Sequence, residues 1–276
     1  MSFVAILGAG PIGGAVAHRL AQRTRVGAIR LIDASGSVAA GKALDIRQSG
    51  PVERFDTLVE AADDVRAAAS AAAVVIADEA TGGEWQGERG LALIRRLAEI
   101  GVTAPLVFAG PSQTTLIETA YRELKIPAPR LVGSAAGALA AAIRALVGLD
   151  LGLSTVDVAV AGRPPAVTIG WTSATAGGAL VTERVPAHRL LAISQAAPKL
   201  WPPKPYAIAS ATAPIVEALL DGSRRRHHAM TIVDGELGVR GRAVLLPLEL
   251  GRQRVLSHAL PSLSPQERTE LMNVMA

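Results

Sequence analysis

The chain has no cysteine, which removes disulfides, thiolate nucleophiles and cysteine metal sites together. Aromatic residues supply only 3% of its 276 positions while half are hydrophobic, so the interior must be built from Ala, Val, Leu and Ile. A chain this apolar is not disordered, and its length suits one large domain or two modest ones. No hydrophobic run is long enough for a membrane. The best candidate, Gly133 to Leu149, contains Arg144 and falls short of the roughly 20 residues that a span requires. Phe3 to Gly8 runs directly into a glycine turn with no basic leader before it, so the expectation is a cytoplasmic protein without a signal peptide. No H-x-x-x-H, E-x-x-H or carboxylate cluster suggests a metal.

Lysine is scarce too: Lys42, Lys125, Lys199 and Lys204 stand among many arginines, and the net charge is +4. The basic residues are scattered except for Arg224-Arg225-Arg226-His227-His228, and no aromatics are interleaved to stack on bases. That cluster follows the turn signal Asp221-Gly222-Ser223, so it reads as a solvated helix-to-strand turn rather than a polyanion site. Neither nucleic acid nor membrane is an expected partner.

The pattern that is present is α/β. Strands are expected at Phe3–Leu7, Ala28–Ile32, Thr57–Val59, Ala73–Ala77, Pro105–Ala109 and Arg130–Val132. Helices are expected between them at Pro11–Arg23, Val38–Gln48, Arg89–Ile100 and Thr114–Leu124. Residues 79 to 88, rich in Gly and Glu, read as a mobile loop. From Ala136 the grammar changes to a long helix, antiparallel strands at Val156–Ala161 and Ala166–Trp171, helices over Ala187–Leu200 and Tyr206–Leu220, two strands around 235–238, and a closing helix after Ser264-Pro265. The expected architecture is a Rossmann-type parallel sheet over 1–135, followed by an α+β C-terminal domain over 136–276.

Gly8-Ala9-Gly10-Pro11-Ile12-Gly13 matches G-x-G-x-x-G directly after a strand and at the start of a helix. In that context Gly8 permits the tight turn, Gly10 lets the backbone approach a pyrophosphate, and Gly13 lets helix and strand pack closely. Pro11 and Ile12 open the helix whose free N–H groups face the phosphate charge. Asp33 ends the second strand about 20 residues beyond Gly13, where a carboxylate can accept from the adenosine ribose hydroxyls. The residues after it, Ala34-Ser35-Gly36-Ser37, offer no cation for a 2′-phosphate, so NAD is expected rather than NADP.

These pieces, together with Leu31-Ile32-Asp33, Gly41-Lys42-Ala43-Leu44-Asp45-Ile46, Leu151-Gly152-Leu153-Ser154, Tyr206-Ala207-Ile208-Ala209, Gly235-Glu236-Leu237-Gly238-Val239 and Leu246-Pro247-Leu248-Glu249-Leu250-Gly251, resemble the lactate/malate dehydrogenase superfamily in order and spacing. The resemblance implies a relay in which a His oriented by an Asp exchanges a proton, one Arg clamps the substrate carboxylate, and a second Arg on a closing loop polarises the carbonyl. Arg89 matches the loop arginine. The Asn-Pro motif is Gly110-Pro111 here, the Asp-Ser-Ala-Arg helix reads Leu139-Ala140-Ala141-Ala142, and Arg163 stands where the His is expected. Arg163 and Lys204 are alternative holders of an anion, and His188 is a candidate relocated base.

Two readings stay open: an NAD(H)-binding relative that has lost the ancestral reaction, and a diverged NAD-dependent oxidoreductase acting on a small anionic hydroxy or oxo acid. Ordinary malate or lactate turnover is expected least. The family tendency implies a homo-oligomer, with a small anionic substrate or effector as partner.

Overall fold

A computed structural model describes residues 2–275, except for the side chain of Glu236. Short apolar strands alternate with helices through the first half: β1 (Phe3–Leu7), α1 (Pro11–Gln22), β2 (Ala28–Ile32), α2 (Gly36–Glu53), β3 (Leu58–Ala62), β4 (Ala73–Ile76), α3 (Gly87–Glu99), β5 (Leu106–Phe108), α4 (Thr114–Arg122) and β6 (Leu131–Gly133). The chain continues with α5 (Ala135–Leu151), β7 (Val156–Arg163), β8 (Ala166–Ala176), β9 (Ala179–Leu180), α6 (Val181–Arg184), α7 (Ala187–Ala196), α8 (Pro205–Asp221), β10 (Arg226–Asp234), β11 (Arg240–Gly251), β12 (Arg254–His258) and α9 (Pro265–Met275).

The first six strands are parallel in the order β3-β2-β1-β4-β5-β6. Central strands of such a sheet are covered on both faces, which is why β1 and β4 are apolar without alternation. Val4 and Ile6 of β1 join the core beneath α1, α2 and α8, whereas Ala5 and Leu7 join the core beneath α3, α4 and α5. Pro11 opens α1, where its missing N–H and fixed φ suit the first helical position. The helix then buries Ile12, Val16, Ala17, Leu20 and Ala21 as one stripe.

The sheet does not stop at residue 135. Met230 of β10 pairs antiparallel with Gly133 of β6, and β11, β7, β8 and β9 follow in one continuous sheet. Arg23, which caps the C-terminus of α1, makes two hydrogen bonds, of 2.6 and 2.7 Å, to the carboxylate of Glu217 on α8, tying the first helix to the second half. The strand order reverses between β1 and β4. In doubly wound sheets the crevice beyond the strand C-termini at that point receives the ligand.

Several expectations need correction. Arg226, His227 and His228 lie inside β10, so the basic cluster is mostly strand rather than turn. It extends there because β11 supplies a full antiparallel ladder from Glu249 to Arg240. Strand β12 had no distinct signal and forms by folding back on β11. Within the loop expected at 79–88 the chain makes a small hairpin: Asp78 and Glu84 bridge antiparallel, Glu79 N donates to Gly83 O at 2.8 Å, and Gly82 N donates to Glu79 O at 2.8 Å. Among the described residues, no helix is long and apolar enough to cross a membrane.

Candidate functional site

The glycine loop lies at the switch point, and each of its glycines is required by contact. A Cβ on Gly8, whose φ is +108°, would sit 2.1 Å from the carbonyl oxygen of Asp78. One on Gly13 would sit 1.9 Å from the carbonyl oxygen of Gly8. One on Gly10 would lie 2.4 Å from Cγ of Asp78 and 2.5 Å from the carbonyl oxygen of Glu79. The close approach that Gly10 permits is therefore made by the chain's own strap, residues 78–84.

That strap engages the helix tip as well. Gly13 N donates to Asp78 Oδ1 at 2.9 Å and Ile12 N donates to Asp78 Oδ2 at 3.2 Å. These are orphan N–H groups at the positive end of α1, and a carboxylate satisfies them as a phosphate would. Gly10 N donates to the Asp78 carbonyl at 2.8 Å, while the Gly10 carbonyl accepts from Lys42 Nζ at 2.8 Å. Asp33 is buried. Its Oδ2 accepts from Ala9 N and Ala80 N, both at 2.8 Å, and its Oδ1 accepts from Ser35 N at 2.8 Å.

The loop thus has the backbone shape for a dinucleotide, but in this closed arrangement it does not fit one. The donors for the diphosphate are bonded to Asp78, and a second anion beside that carboxylate would meet repulsion rather than N–H groups.

Farther along the crevice, Glu84 turns over the end of β5. It accepts from Ser112 N at 2.8 Å and from Ser112 Oγ at 3.2 Å, and it lies 2.3 Å from where a Gly110 Cβ would be. Burial pushes its pKa up, against the lowering effect of the Ser112 bonds. Arg89, on the first turn of α3, donates to Glu79 Oε2 at 2.6 Å and stands 5.5 Å from the Trp85 ring, with 70% of its side chain exposed.

The remaining candidates do not gather. Leu139 and Ala140 are packed in the core. Arg163 is bonded at 2.8 Å to buried Glu118, which also accepts from Ala243 N at 3.0 Å and lies 3.7 Å from Arg242. Its charge is already matched inside the fold. Lys204 precedes α8 and is exposed, as is His188 on α7.

His228 was visible in the sequence only as part of a basic run, yet it is partly buried. Val160 N donates to its Nε2 at 3.3 Å, and Arg144 Nη1 is 3.2 Å from its Nδ1. Burial first, then the charges of Arg144 and His227, lower its pKa to about 4. Asp78, Glu84 and Glu118 also escaped the sequence reading. Two acids directly after a central strand, Asp78-Glu79, were the available signal.

The chain is similar in sequence and in fold to known dehydrogenases. Residues 3–101 match the family described as lactate/malate dehydrogenase, NAD binding domain. The malate dehydrogenase of Thermomicrobium roseum is 27% identical over 288 residues, covering 97% of this chain and 93% of that protein. That of Desulforudis audaxviator is 27% identical over 270 residues, covering 90% and 87%. Among solved structures, the minor L-lactate dehydrogenase from Enterococcus mundtii superposes with a TM-score of 0.87 at 19% identity, covering 99% of this chain and 95% of that one. The malate dehydrogenase from Aeropyrum pernix gives 0.87 at 18%, with the same coverage.

Proposed function

We propose that the chain is a relative of the lactate/malate dehydrogenases with NAD as its cofactor, and one that does not carry out ordinary malate or lactate oxidation. The observation that carries this reading is the ion pair between Arg163 and Glu118. Arg163 stands where the family resemblance expects a proton-exchanging His, and its guanidinium is committed to a buried carboxylate. Leu139 and Ala142 stand where the orienting Asp and the carboxylate clamp are expected, and neither can hold a proton or an anion. Losing base and clamp together removes many kcal/mol of transition-state stabilisation.

What this chain's own residues do is positional. The Gly8–Gly13 backbone and Asp33 shape the dinucleotide end, and Arg89 offers a cation at the mouth of the crevice. The exposure of Arg89 favours a second reading, a diverged NAD-dependent oxidoreductase whose small anionic hydroxy or oxo acid is met by that guanidinium. With both readings go a cytoplasmic setting, a homo-oligomer, a small anionic substrate or effector, and division of labour between residues 1–135 and 136–276.

A panel of 2-hydroxy and 2-oxo acids, followed at the nicotinamide absorbance with NAD or NADH, tests this. Malate and lactate are expected to give no turnover above background. Brisk malate oxidation that disappears in Arg89→Ala would contradict the main reading. Turnover of a different acid, lost in the same variant, would select the second.

A further inference from the structure

We propose that the strap 78–84 competes with the dinucleotide for its own site, the Asp78 carboxylate standing in for the ligand's phosphate at the tip of α1. The proposal rests on the reading of the Gly8–Gly13 loop as the dinucleotide site. Three groups that a dinucleotide would use are taken at once. The Ile12 and Gly13 amides, which face an incoming anion, donate to Asp78. The space that Gly10 leaves free for a pyrophosphate is filled by the Asp78 side chain and the Glu79 carbonyl. Asp33, the acid expected to accept from the ribose, has one oxygen occupied by Ala80 N, itself a strap amide. A single element therefore masks the phosphate donors and the sugar acceptor together.

The strap is also built to move as a unit. Its own hydrogen bonds close a small hairpin between Asp78 and Glu84, so withdrawing it exchanges the contacts at the cradle, those at Ser112 and the Arg89–Glu79 ion pair while the hairpin itself stays intact. Gly87, at φ +51° with nothing within 4 Å of an added Cβ, follows the strap as an unhindered pivot. Swinging the strap out releases Ile12, Gly13 and Asp33 in one step. NAD must then bind the open fraction of molecules, and its apparent affinity falls by that fraction. Asp78 acts as an internal ligand that sets how much cofactor is needed to open the site.

The test is calorimetric titration of NAD into the wild-type protein, Asp78→Ala and Asp78→Asn, with circular dichroism confirming the fold of each. Asp78→Ala is expected to bind at least tenfold tighter than wild type, and Asp78→Asn, which keeps the shape but loses the charge, to fall between them. Glu88→Gln, which removes an exposed charge on the first turn of α3, should leave the affinity unchanged. If Asp78→Ala does not fold, Asp78→Asn alone decides, with a severalfold gain expected. Equal affinity in wild type and the Asp78 variants would overturn the competition while leaving the dinucleotide reading intact. No binding by any folded variant would overturn both.

Discussion

His228 shows how strongly one side chain's chemistry depends on where the fold puts it. Five basic residues in a row looked like a solvated patch, yet His228 faces inward from β10, and only the neutral imidazole is tolerated there. A pKa lowered to about 4 means that the unfolded chain binds the proton more readily than the folded one. Stability from this group is complete above the ordinary His value, near 6.5, and is lost as pH falls from there to about 4. Urea denaturation at pH 7 and at pH 4.5 should show wild type losing about 2 to 3 kcal/mol more across that interval than His228→Gln, which has nothing to protonate. Equal losses in the two proteins would mean that the imidazole is not held neutral by its surroundings. Glu118 is a second side chain whose surroundings only the fold reveals. It is an acid drawn into the interior by Arg163, Arg242 and a backbone N–H, on a helix whose sequence announces only an amphipathic stripe.

Elements were far easier to anticipate than the contacts between them. Strands β1 and β2 match the residues expected from their apolar runs, and α1 begins at Pro11, because local sequence dictates those boundaries. The glycine loop was equally readable, since its spacing serves any group brought close to the backbone. Which group is brought there was not readable. Asp78 reaches Gly13 across 65 positions of sequence, and no local pattern encodes that meeting. The gaps in the family relay at Leu139, Ala142 and Arg163 were legible for the opposite reason: a missing functional group is a matter of residue type and needs no geometry.

Two glycines in neighbouring elements, Gly13 of α1 and Gly41 of α2, differ in what surrounds them. Gly13→Ala would force a Cβ to 1.9 Å from the Gly8 carbonyl oxygen, with backbone on both sides and no flexible group to yield. Gly41→Ala, inside α2 with nothing within 4 Å, removes only unfolded-state freedom. Thermal melts should show Gly13→Ala destabilised by several kcal/mol or unable to fold, and Gly41→Ala stabilised by about 0.4 to 1 kcal/mol. A Gly13→Ala protein with an unchanged melting temperature would contradict the tight contact on which the loop's shape depends.

Taken as a whole, the molecule is one continuous sheet in which a parallel half hands over to an antiparallel half at a single pair, Gly133 and Met230. The crevice at the reversal between β1 and β4 is where the fold offers a ligand both a helix tip and an acid, and where this sequence has placed acids of its own. Whether NAD enters that crevice is therefore the decisive question. An amide-resolved nuclear magnetic resonance titration of the wild-type protein with NAD decides it. Ile12, Gly13 and Ala80, whose N–H groups now face Asp78 and Asp33, should shift together along one saturable curve as the carboxylates give way. Saturation by NAD with those three signals unmoved would place the cofactor elsewhere and contradict the assignment of the site.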